Sequence, residues 1–126
     1  MISEKLVRVT LWISVPFNLV AAYGLAYPGS LLGILIGLPS NVPPLYSALL
    51  AFLIAGFGLA YGWAARQQPV DKTVVGLGTI GKYGVFIIAG LLMMQGSGPT
   101  GAFVVAIGDA IFATIWLLWL LGERKA

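Results

Sequence analysis

Hydrophobic positions in this chain gather into long unbroken runs, not into the alternating or one-face patterns of a water-soluble domain. Four runs reach membrane-crossing length, at about residues 6–27, 45–65, 74–95 and 102–121. An α-helix needs roughly 20 apolar residues to cross a hydrocarbon core about 30 Å thick, and each run meets that requirement. The pattern predicts an all-α fold, an integral membrane four-helix bundle in one transmembrane domain over residues 1–126. Between the first two runs lies Pro28–Pro44, PGSLLGILIGLPSNVPP, which carries no charge. Its apolar centre, Leu31–Leu38, is too short to cross. It is expected to form a short interfacial or re-entrant segment across one end of the bundle, either as a plain connector or as a gate over a cavity.

The polar positions set the threading. Arg66–Lys72, RQQPVDK, is a hydrophilic turn, whereas Gln95–Gly101, QGSGPTG, is a turn without charge. Four spans put both termini and the hydrophilic turn on one side. That side then carries Lys5, Arg8, Arg66, Lys72, Arg124 and Lys125, and the other side carries no lysine or arginine. The positive-inside rule places both termini in the cytoplasm. Lys5 and Arg8 resemble the basic flank of a signal peptide. The apolar stretch behind them is too long for one and ends without a small-residue cleavage site, so it is expected to stay as a helix.

Within the spans, small and polar residues predict which faces meet. Ser14, Asn18, Ala21, Ala22 and Leu25 share a face of the first helix, which Pro16 should kink or loosen. Gly58 and Gly62 form a GxxxG in the second, suited to close helix packing. Gly78 and Gly81 give the third a smooth packing face. Tyr23, Tyr27, Tyr61, Trp63, Trp116 and Trp119 lie toward span ends and are expected to act as interfacial anchors.

Composition narrows the chemistry. Hydrophobic residues make up 60% of the chain and charged residues 9%, which leaves no polar surface on which to hold a nucleic acid. The chain has no cysteine and no histidine, which removes disulfides, thiol redox chemistry and the usual zinc, haem and iron–sulfur ligands. Its four carboxylates, Glu4, Asp71, Asp109 and Glu123, do not cluster. Neither a metal nor a cofactor is expected. Without His or Cys, a nucleophile–base pair could come only from a serine and a lysine, with Ser14 and Ser47 as the in-span serines. No catalytic residue is expected, and the chain does not read as an enzyme.

Two formal charges remain inside the spans, Lys82 and Asp109. A charge at bilayer depth costs several kcal/mol unless paired or hydrated, so it marks a site or a structural lock. At about 1.5 Å per residue, Lys82 lies roughly 15 Å from the terminal side and Asp109 roughly 20 Å. A lysine stem closes that gap, so the two should pair, with Asn18 at a similar depth. The pair can serve as a register-fixing ion pair or as the polar floor of a mid-membrane pocket. Gly76–Lys82 also matches a dinucleotide fingerprint and part of a phosphate-binding loop. Both motifs need a preceding strand and an aqueous mouth, which this segment lacks, and Tyr83 stands where a Ser or Thr must hold magnesium.

Length, span count and turn placement resemble two bacterial groups. The small multidrug resistance transporters match in size, but their first-helix glutamate is replaced here by Asn18 and no carboxylate. The polar turn leading into GLGTIGKYG (Gly76–Gly84) resembles the DoxX-like four-helix membrane proteins, and the likeness in architecture covers most of the chain. That resemblance implies an accessory subunit or partner of a membrane redox system. The resulting expectation is a non-enzymatic scaffold or accessory protein in contact with membrane lipids. It would associate with itself or a larger complex, or hold a hydrophobic small molecule such as a quinone or lipid between its helices. The alternative is a small proton-coupled transporter in which Asp109 exchanges the proton.

Overall fold

The computed structural model describes residues 1–125, with side chains through Glu123. Five helices follow in order: α1 (Glu4–Ala26), α2 (Leu31–Ile36), α3 (Pro44–Arg66), α4 (Lys72–Met94) and α5 (Thr100–Lys125). Four of them, all but α2, are long and apolar enough to cross a membrane, and there is no strand among the described residues. The protein is an all-α, multi-pass membrane bundle.

Local sequence explains where the helices begin. Ser3 caps α1 by accepting from the Leu6 amide at 3.1 Å. Asp71 caps α4 by accepting from the Thr73 and Val74 amides, and its charge also suits a helix N-terminus. Pro44 opens α3, where its missing amide hydrogen leaves nothing unpaired. Pro16 lies inside α1, which nonetheless continues to Ala26. The short α2 starts at Ser30 and stops at Gly37, whose φ of 85° is a left-handed conformation natural to glycine. It lies between the end of α1 and the start of α5, with Gly24 against Leu32 and Ile36, and Gly101 against the Ile36 carbonyl.

The long helices pack as two pairs, α1 with α3 and α4 with α5. In the first pair, Gly58 faces Asn18 and Val15, and Gly62 faces Val15 and Trp12. The GxxxG surface is therefore filled by α1 of the same chain. The two pairs meet through aromatic residues: Phe17 on Phe112 at 5.5 Å between centroids, and Tyr61 on Trp116 at 5.0 Å. Gly78 lets Tyr61 and Trp116 approach α4, since a Cβ there would stand 2.6 Å from Tyr61 Cε1.

The main core lies toward the termini and comprises Val7, Leu11, Tyr61, Ala64, Ala65, Val70, Val75, Trp116 and Trp119. Tyr61, Trp116 and Trp119, expected at the interface, are buried in it. Each lies on the inward face of its helix, and helix phase overrides distance from the span end. Tyr23, Tyr27 and Trp63 are exposed, as interfacial anchors must be. Polar contacts clamp the same end. Arg8 donates to the carbonyls of Ala65 (2.9 Å) and Gln67 (3.0 Å), Glu4 accepts from the Val70 amide, and Lys72 pairs with Glu123 at 3.5 Å. Both termini and the α3–α4 turn thus share one end of the bundle. The expected contribution of the Arg124 and Lys125 side chains lies outside the described residues.

Candidate functional site

Four turns of helix bring three polar side chains together in the middle of the bundle. Lys82 Nζ donates to Asp109 Oδ1 at 2.7 Å and to Asn18 Oδ1 at 3.2 Å. Asn18 in turn donates from Nδ2 to the Ile54 carbonyl at 3.0 Å. That last bond fixes the amide so that its oxygen faces the lysine, and it ties α3 to the other three helices. The pairing expected from helix depth is present, and Asn18 bonds to the lysine, not to the carboxylate.

Sequence order hides the lysine's remaining surroundings. The rings of Phe17, Tyr61, Phe112 and Trp116 stand 5.0–5.7 Å from Nζ. An ammonium within about 6 Å of an aromatic face is attracted by the ring quadrupole, more strongly where water is excluded. Lys82 is 3% exposed, so this attraction and the two hydrogen bonds replace its hydration. The sequence reading of Tyr61 and Trp116 as interfacial anchors missed this cage, although two signals could have found it. Phe112 and Trp116 follow Asp109 by three and seven residues, on its own face, and Phe17 adjoins Asn18. Tyr61 gave no such signal, because it comes from a helix with no charge in its span.

The pair is not sealed on every side. Asp109 accepts from Lys82 through Oδ1, whereas its Oδ2 accepts no hydrogen bond among the described residues. The Asp109 side chain keeps 13% of its surface open, against 3% for Lys82. That surface faces a cavity of about 310 Å³ between the two helix pairs, lined by all five helical elements or their flanks. Lys82, Asp109 and Asn18 are its polar residues apart from the Tyr61 hydroxyl, which is turned onto Gly78. The walls are apolar, and α2 and its flank close one end through Ile36 and Leu38. Leu50, Leu53 and Phe57 of α3 and Val85 of α4 line the cavity and are exposed. The opening is therefore sideways, between α3 and α4. Toward the termini the cavity is stopped by Tyr61.

The predicted packing glycines divide. Gly58, Gly62 and Gly78 face neighbouring side chains, whereas a Cβ on Gly81 would meet nothing within 4 Å, and Gly81 lines the cavity. Its expected packing role is corrected: its missing side chain leaves room next to Lys82. Ser14 Oγ is buried and makes no hydrogen bond, so no Ser–Lys pair forms with Lys82. Among the described residues no three metal-ligating side chains gather. No family model, curated protein or solved structure matches the chain.

Proposed function

We propose that this protein is a non-enzymatic accessory or binding protein of a bacterial inner membrane, with both termini cytoplasmic, that holds a hydrophobic small molecule of quinone or lipid type. One observation carries the reading: an apolar cavity of about 310 Å³ opens sideways between two spans and has the Lys82–Asp109–Asn18 cluster as its floor. Apolar walls with a few convergent polar groups are the usual construction of a small-molecule site. A sideways mouth suits a ligand that arrives from the lipid phase. The orientation rests on the lysines and arginines gathered at the end that holds the termini. An accessory role, in a larger complex or a homo-oligomer, is also what the DoxX-like resemblance implies.

A proton-coupled transporter built on Asp109 is the competing function. The packed core on the terminal side of the cavity favours holding a ligand over passing one through. The test is native mass spectrometry of the protein released from membranes. A retained small molecule, lost when Gly81→Leu fills the cavity, is the expected outcome. A bare protein together with proton flux that Asp109→Asn abolishes would replace binding by transport.

A further inference from the structure

The cavity's floor offers an unpaired acceptor, and this restricts the head group of its ligand. Lysine has three N–H donors. Two are used on Asp109 and Asn18, and the ammonium is otherwise enclosed by four aromatic rings. The Asn18 amide is committed to Ile54. Apart from the Tyr61 hydroxyl, which is turned onto Gly78, what remains is Asp109 Oδ2, a carboxylate oxygen without a protein donor, on the more open member of the pair.

From this geometry we infer that the site takes a neutral, single-chain amphiphile whose hydroxyl head donates a hydrogen bond to Asp109 Oδ2, with its apolar chain running toward α2. The inference rests on the binding reading above and narrows it to the lipid class, setting quinones aside. A carboxylate or phosphate head would meet Asp109 first and find the lysine already engaged. An ammonium head would be placed beside Lys82, and like charges at that distance in a dry site repel strongly. A head that only accepts, such as an ether, an ester or a quinone carbonyl, would leave Oδ2 unpaired. The volume sits at the low end of the range for ligand pockets, which suits one chain and not two. Asp109 and Ala102 both line the cavity, and their separation of seven positions sets its length along α5 at about 10 Å.

The test uses the full chain in phosphatidylcholine nanodiscs, titrated with 1-decanol, decyl methyl ether, decanal, decylamine and decanoate, with binding read from the thermal unfolding midpoint. A hydrogen bond to a charged acceptor separates the alcohol from its methyl ether by about tenfold or more in apparent affinity. The expected result is saturable binding of 1-decanol at least that much tighter than the other four. Gly81→Leu, which puts a side chain into the open space beside Lys82, should abolish it. Asp109→Asn should erase the preference for the alcohol, and the Gly81→Leu arm stands even if that variant does not fold. Equal binding of alcohol and ether, both lost in Gly81→Leu, would overturn the head-group inference and leave the cavity as a binding site. Tightest binding of decanoate, decanal or decylamine would overturn it likewise. Saturable binding of none of them, or binding that Gly81→Leu leaves intact, would overturn both.

Discussion

Toward the end that carries the termini, Val7, Leu11, Ala64, Val75 and Trp116 fit together with no exposed surface, whereas toward α2 the same four spans stand apart around a cavity. The two regions differ in chemistry as well as packing. The closed region is tied by Arg8, Glu4 and Lys72 across three segments of chain. The open region has no charged side chain beyond the buried pair, and its end is covered by a helix of six residues. Lys82, Asp109 and Asn18 lie at the boundary. The arrangement teaches a division of labour: one end fixes the helices, so the other can leave space between them without losing register.

The boundary is where the comparison breaks most readily. Asp109→Ala would leave Lys82 charged, buried and without its partner, a change that typically removes about 3–5 kcal/mol. Replacing both, Lys82→Met with Asp109→Leu, should recover most of that loss, because no charge then remains unpaired. Unfolding in a detergent–SDS series checks both. A single variant no worse than the double would mean that the pair is solvated and belongs to the open region. Glycine substitutions then separate the two halves directly. Gly78→Ala forces a Cβ to 2.6 Å from Tyr61 Cε1 and 3.0 Å from Trp116 Cζ3, and neither packed ring can yield easily. An overpacked site of this kind loses about 1–3 kcal/mol. Gly81→Ala, one helical turn away, should change the midpoint by less than about 0.5 kcal/mol, as a substitution into open space does. Similar losses at both would erase the distinction between the halves.

The clamp comes next. Arg8→Ala removes two hydrogen bonds to carbonyls at the end of α3 and should lower stability by about 1–2 kcal/mol. Lys72→Ala, which breaks an exposed ion pair, should lower it by less than about 1 kcal/mol. A result in the opposite order would shift the anchoring of this end from the α1–α3 contact to the α4–α5 contact.

Much of the fold was legible in the sequence, for reasons that particular residues make clear. Span length and the placement of Lys5, Arg8, Arg66 and Lys72 define four antiparallel helices, because the bilayer's thickness and charge asymmetry act on composition alone. The Lys82–Asp109 pair was legible because a buried charge has few tolerable partners. Trp116, Trp119 and Tyr61 were misjudged as interfacial, since position along a span says nothing about which side of the helix faces in. Gly81 was misjudged for a related reason. A glycine on an inward face can admit a neighbour or leave a space, and only the separation of the helix pairs decides between the two. The cavity itself was not legible, because it depends on where α3 and α4 part.

Ser14 gives the smallest effect and the finest test of how dry the closed region is. Its hydroxyl is fully buried one turn from Asn18 and one from Thr10, yet it makes no hydrogen bond. A helical serine commonly donates to the carbonyl four residues back, and this one does not. Thr10 by contrast is engaged twice, donating to the Val7 carbonyl and accepting from Trp116 Nε1. A buried hydroxyl without a partner is unfavourable, so Ser14→Ala should leave stability unchanged or raise it by up to about 1 kcal/mol. A fall of the same size would mean that Ser14 is hydrogen-bonded through water. The polar file from Thr10 to Asn18 would then be hydrated, and the closed region would be an extension of the cavity instead of its stopper.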